Sequence, residues 1–227
     1  YKHEANNNIS SLHVTEFGRF AVFSRLTNYE TWENSFYLYR LDDNYQPADL
    51  LLELPGNDKI PVREDGMGKM DNFLGSMTLW DLDGKWFYYT TSKETDMYAY
   101  NLMTGEQDTL TAINFEERTN SDAQREYLKT TYDRLIESSP SVETAINETE
   151  TLPYFDSLTA HDGKLILRLF DAGSDTGLLI HYNTDTDEVS HIKVPTYYLR
   201  ISYSGNALFG WYERESGERV IVKIVHE

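Results

Sequence analysis

The chain has 227 residues, with 38 acidic against 20 basic side chains and a formal net charge of −18. Nucleic acid wants a basic groove and anionic lipid wants basic patches, so this balance argues against both as partners. The absence of cysteine removes disulfides, thiol nucleophiles and thiolate metal sites together, and suits an oxidising compartment as well as the cytosol.

The chain opens at Tyr1 on YKHEANNN, without a signal-peptide pattern, and reads as the remnant of a preceding connection. No apolar run approaches the ~18 residues that span a bilayer, so no membrane insertion is expected, although a lipid anchor outside this chain fits. A first unit over 9–54 pairs ISSLHVTEFGRFAVFSRL, turning at Gly18, with FYLYRLD. The stretch 55–72 carries two of the six prolines and several glycines and reads as a loop insertion. A second unit over 73–112 pairs GSMTLWDLDGKWFYYTTS with MYAYNLMTGE, with hairpin turns at Asp83-Gly84 and Thr104-Gly105.

From Phe115 to Glu150 the period changes. Ala123, Tyr127, Leu128, Tyr132, Leu135 and Ile136 follow the spacing of one helical face, and Asn120 or Ser121 can cap its start. Ser139 and Pro140 suit the cap and first position of a second helix through Ala145 and Ile146. The segment 115–150, helical over about 118–149, is therefore a helical insertion. A third unit over 154–195 pairs DSLTAHDGKLILRLFD with LLIHYNTDTDE, turning at Gly163. A fourth over 197–225 pairs LRISYSGNALFGWYER with RVIVKIV, turning at Gly205.

Four repeats of strand, glycine turn, strand and partner strand define an all-β chain and point to a β-propeller, because one such sheet cannot bury both faces alone. The turn glycines are 66, 79 and 42 residues apart. The last spacing matches a bare blade of ~40–50 residues, and the two excesses coincide with the two insertions. A six-bladed ring needs roughly 250 residues before insertions. The chain is therefore expected to be a single propeller domain or the C-terminal part of one, with the missing material N-terminal; a complete four-bladed ring is the alternative.

The order of an acidic, aromatic blade, a helical insertion and Leu152-Pro-Tyr-Phe-Asp-Ser-Leu-Thr-Ala-His-Asp-Gly-Lys-Leu-Ile-Leu-Arg resembles the six-bladed β-propeller proteins of Bacteroidetes-like bacteria, relatives of the NHL and TolB-like propellers. The likeness covers about the last two thirds of the chain, and its motifs are structural. It implies a secreted, periplasmic or cell-surface protein and supplies no catalytic set.

Asp175-Thr176-Gly177 spells the aspartic-protease triplet, but that chemistry needs a second carboxylate and the chain has no second copy. A loop between two strands is the better reading. Asn183, Asp185 and Asp187 have the 1-3-5 spacing of a Ca²⁺ loop and then lack its glycine and glutamate, so turn residues are expected and Ca²⁺ is a weak candidate. Asp81 and Asp83 read as hairpin-turn residues. His161 sits just before the Asp162-Gly163 turn and His13 lies in the matching strand of the first unit; ordinary strand and turn positions are the expectation, although propeller ligands can converge on the axis from different blades. Arg168 interrupts the apolar strand Leu165–Phe170 and wants a carboxylate, for which Asp156 is the candidate. Asp156, His161, Arg168 and His13 are thus the candidate ligand-binding set. The helical insertion reads as a cap, or as a docking or gating element. The expected function is an extracytoplasmic binding module for a protein or a small polar ligand. The alternative is a propeller hydrolase or lyase acting on a sugar-like or ester substrate at the axial pocket.

Overall fold

A computed structural model describes residues 7–28, 30–62, 68–110, 117–170, 173, 176–195, 200–204, 207–214 and 216–224. Its frame is four antiparallel sheets, each a meander of strands in sequence order. The first contains β1 (Asn7–Thr15), β2 (Gly18–Asn28), β3 (Glu33–Leu41) and β4 (Pro47–Leu54). After the short hairpin of β5 (Lys59–Pro61) and β6 (Lys69–Asp71), the second contains β7 (Thr78–Asp83), β8 (Trp86–Thr91), β9 (Met97–Asn101) and β10 (Gln107–Leu110). Three helices follow: α1 (Asp122–Thr131), α2 (Asp133–Ser138) and α3 (Ser141–Glu148). The third sheet holds β11 (Phe155–His161), β12 (Lys164–Leu169), β13 (Thr176–Asn183) and β14 (Val189–Pro195). The fourth has three strands, β15 (Arg200–Ser204), β16 (Ala207–Glu213) and β17 (Arg219–Ile224).

The sheets stack in series with one apolar cluster per interface. Phe20, Val22, Phe36, Leu38 and Leu54 of the first meet Phe87 and Leu102 of the second, with Trp80 and Leu82 packed alongside. Tyr88, Met97 and Ala99 then meet Phe155, Leu158, Leu165 and Tyr182. Ile166, Leu179, Ile192 and Val194 meet Leu208. A strand buried from both sides must be apolar on both, which explains the unbroken Trp86-Phe87-Tyr88-Tyr89 run. The opening strand of each sheet lies innermost: β7 and β11 pack on each other, and β15 packs on β11. Meanders stacked face to face with their opening strands inside are propeller blades.

The four repeat glycines do different work. At β11–β12 both loop residues, Asp162 (φ 50) and Gly163 (φ 68), are left-handed, as a type I′ hairpin demands. At β7–β8 the loop is Gly84-Lys85, with Gly84 its first residue, whereas Gly18 lies just after the Glu16-Phe17 loop and opens β2. Gly205 lies outside the described residues, as does Asp175 of the protease-like triplet. Thr176 and Gly177 start strand β13 instead of filling a loop.

The insertions also depart from expectation. The 55–72 segment is not a plain loop, because it carries the β5–β6 hairpin. The single long helix is two, broken at Tyr132. Ser121 caps α1 in a reciprocal box with Gln124. Ser139 does not cap α3; its Oγ and that of Ser141 donate to the carbonyls of Pro61 and Val62 beside β5. The two insertions thereby form one lobe with a shared core of Ile60, Leu74, Leu128, Val142 and Ile146, and Phe73 lies 4.3 Å from the Tyr132 ring. Asn120 Nδ2 donates to Ile146 O and Thr149 O, and Thr119 bridges Thr151, so the ends of the helical insertion are pinned together.

Candidate functional site

Asp156 lies at an irregularity of its ladder. Phe155 pairs with Leu169 and Ser157 with Arg168, leaving Asp156 as the extra residue of a β-bulge. Bulges re-aim side chains, and this one places Asp156 on the wall of an open groove of about 220 Å³. Thr78, Leu79 and Trp80 of β7 form one wall of the groove, and Asp156, Ser157 and Leu158 of β11 form the other. It lies where these innermost strands begin, at the rim opposite the hairpin turns.

Arg168, across the ladder, donates from Nε to Asp156 Oδ1 at 2.5 Å. Both side chains keep about a quarter of their surface, so the pair is oriented but wet. β1 has the matching irregularity between Ile9 and Ser11, so Ser10 takes the place in the first sheet that Asp156 takes in the third.

The candidate histidines are elsewhere. His161 closes β11 at the hairpin end, away from the groove. His13 lies on the face of β1 that looks toward the second sheet, where Ser11 Oγ accepts from Trp80 Nε1 at 3.1 Å. Burial lowers the His13 pKa, and the nearby Asp81 carboxylate opposes that shift. Its Nε2 is buried with no hydrogen-bond partner.

Two acidic residues do more than turn a hairpin. Asp81 Oδ2 accepts the Ala160 N–H at 2.8 Å, and Asp83 Oδ2 accepts the Gly163 N–H at 2.9 Å. Both bonds cross from the second sheet to the third. Burial pushes the Asp81 carboxyl above its usual range against the N–H groups of Ala160 and Leu82 and the charge of His13. Nothing in a single sequence marks these as latches; only the strand register does, since His13, Asp81 and Thr159 occupy equivalent places in successive sheets.

Asn183 Oδ1 accepts the backbone N–H groups of Asp185 and Thr186, an Asx turn, and Asp187 accepts from the Tyr182 hydroxyl. Among the described residues no group of three or more His, Asp or Glu side chains could hold a metal ion. A second recess, about 380 Å³, is lined by Thr31, Glu33, Asn57, Asp58, Lys59 and Asn72. Several of its polar groups already hold the connection together, with Lys59 paired to Asp71 and Asp58 accepting from Ser76 N.

No protein-family model and no curated protein matches the chain. Among solved structures it is similar to the computationally designed Ika4 protein, at 9% identity and TM-score 0.43, over 96% of this chain and 92% of that one. It is similar to the β-propeller domain of the Trilobed protease from Pyrococcus furiosus, at 10% identity and TM-score 0.43, over 98% of this chain and 58% of that one. For the acylaminoacyl peptidase of Pyrococcus horikoshii the values are 9% and 0.46, over 97% of this chain and 32% of that one. The chain thus spans under two thirds of both archaeal proteins. The propeller assignment rests on the serial blades themselves. Among the described residues, no helix is long and apolar enough to cross a membrane.

Proposed function

We propose that this chain is an extracytoplasmic β-propeller binding module that takes a small polar ligand, or a short polar stretch of a partner protein, in the rim groove between β7 and β11. The observation that carries this reading is the bulge-presented Asp156, held by Arg168 at the groove wall beside Trp80. A fixed acid beside a guanidinium recognises a hydroxyl- or amide-bearing group that both donates and accepts. The groove is smaller than the ~300 Å³ at which drug-sized pockets begin, which suits a single sugar ring or one or two peptide units.

The blades are proposed to form an arc of a ring larger than four, as the family resemblance implies. The support is an uncovered apolar face on the first sheet, where Ile9, Leu12 and Val14 are exposed.

The test is thermal denaturation with acidic sugars and short peptides, with and without Ca²⁺, repeated on Asp156→Ala. A ligand that raises the melting temperature of the parent by several degrees and leaves the variant unmoved supports the site. An equal shift in both sends the ligand elsewhere. Hydrolysis of an ester or glycoside that is lost in a folded Asp156→Ala would favour the hydrolase alternative over the binding module.

A further inference from the structure

The rim that carries the groove between β7 and β11 also carries the second recess, and the two share a wall. Asn57, which lines the recess, accepts at 2.8 Å from the N–H of Thr78, which lines the groove. The Thr78 hydroxyl in turn donates to Pro55 O at 2.7 Å. The other side of the recess is the loop that joins β2 to β3. Its volume of about 380 Å³ exceeds the ~300 Å³ at which drug-sized pockets begin, which that of the groove does not.

All six lining residues are polar. Part of that polarity is structural: Lys59 pairs with Asp71, Asn57 Nδ2 donates to Asp71, Asp58 Oδ2 accepts from Ser76 N, and Asn72 Oδ1 accepts from Leu74 N. Among the described residues, the Glu33 carboxylate, Asp58 Oδ1, the Asn72 amide N–H groups and the Thr31 hydroxyl have no protein partner. This remainder mixes acceptors with donors. A simple cation would leave the donors unpaired and an anion would meet two carboxylates, whereas a sugar hydroxyl donates and accepts at once. A peptide strand gains from pockets for its alternate side chains, and this lining offers an apolar side chain nothing. A sugar ring is apolar on its faces alone. Trp32, between the lining residues Thr31 and Glu33, is 40% exposed and supplies an indole at the lip.

We infer that the recess is a second subsite of one binding face, and that the ligand is a neutral oligosaccharide with one unit in the groove and another in the recess. This rests on the groove reading given above. The two carboxylates and the net charge of −18 disfavour uronic-acid and sulfated chains.

Calorimetric titration tests this with cello-, manno- and galacto-oligosaccharides of one to four units and with tetragalacturonate. The proteins are the parent, Trp32→Ala/Glu33→Gln and Asp156→Ala, each with a parent-like circular dichroism spectrum. In the parent, affinity for one neutral series is expected to rise tenfold or more from one unit to four. Trp32→Ala/Glu33→Gln is expected to lose that gain and keep the single-unit affinity, and tetragalacturonate is expected not to bind. A tetrasaccharide bound equally by the parent and Trp32→Ala/Glu33→Gln overturns the subsite, as does a parent that binds no neutral chain. In either case a saccharide or short peptide whose binding is lost in Asp156→Ala leaves the groove reading standing. If no probe distinguishes Asp156→Ala from the parent, the groove reading falls as well.

Discussion

Replacing Asp81 with alanine tests whether the blades are latched by side chains as well as packed. Asp81 Oδ2 accepts the Ala160 N–H at 2.8 Å across the interface between the second and third sheets. A hydrogen bond to an ionised group contributes about 1.5–3 kcal/mol, and the orphaned N–H adds to the loss. Relief of a half-buried charge offsets part of it. The expected net cost is about 2 kcal/mol, or roughly 4–8 °C in melting temperature for a chain of this size. The pH dependence carries a sign. Burial raises the folded-state pKa of Asp81 above its ordinary 3.8, so the folded chain holds a proton there that the unfolded chain has released. The advantage of aspartate over alanine is therefore greatest below pH 3.8 and shrinks as pH rises through the raised value. Urea titrations of parent and variant at several values between pH 4 and 7 measure the difference directly. A cost under about 0.5 kcal/mol would refute the latch, and a difference that grows as pH rises would refute the raised pKa.

Three further outcomes are expected. His13→Leu removes a base whose folded pKa lies below 6.5, so the parent should lose stability as pH falls below 6.5 and the variant should lose less; melting at pH 5 and 7 compares them. Ile146→Ala opens the fully buried core of the lobe at a cost of about 2–5 kcal/mol, read as faster proteolysis within 118–151 while the strand signal in circular dichroism persists. Gly56→Ala would place a Cβ 1.6 Å from the Asn34 carbonyl oxygen, a backbone collision, and should cost about 3 kcal/mol or more in urea midpoint and soluble yield.

What was legible in the sequence is what short-range rules govern. Alternation and aromatic runs placed the strands of the second sheet, and the Ser121 cap was visible because a capping box is local. The Asp156–Arg168 pair was readable because a cation inside an apolar strand needs a nearby acid, and the ladder sets them across from each other. Register-dependent features were hidden. The bulge that aims Asp156, the roles of Asp81 and Asp83 between blades, and the separation of His13 and His161 from the groove all depend on which residue faces which. A one-residue slip reverses those faces, and composition does not report it. Ser139 was misread as a cap for the same reason: its acceptors, Pro61 and Val62, are almost eighty residues away.

The shared lobe has a consequence for how such a chain can be shortened or can diverge. Its two parts interrupt the sequence before and after the second blade, yet they form one hydrophobic unit. Trimming either insertion alone would strip the other of its partner and strand an oily surface on the rim. The pair can be lost or exchanged only together. Because they join on one rim, they also act as a splint across the second blade, so any motion that tilts this blade against its neighbours must first deform the lobe.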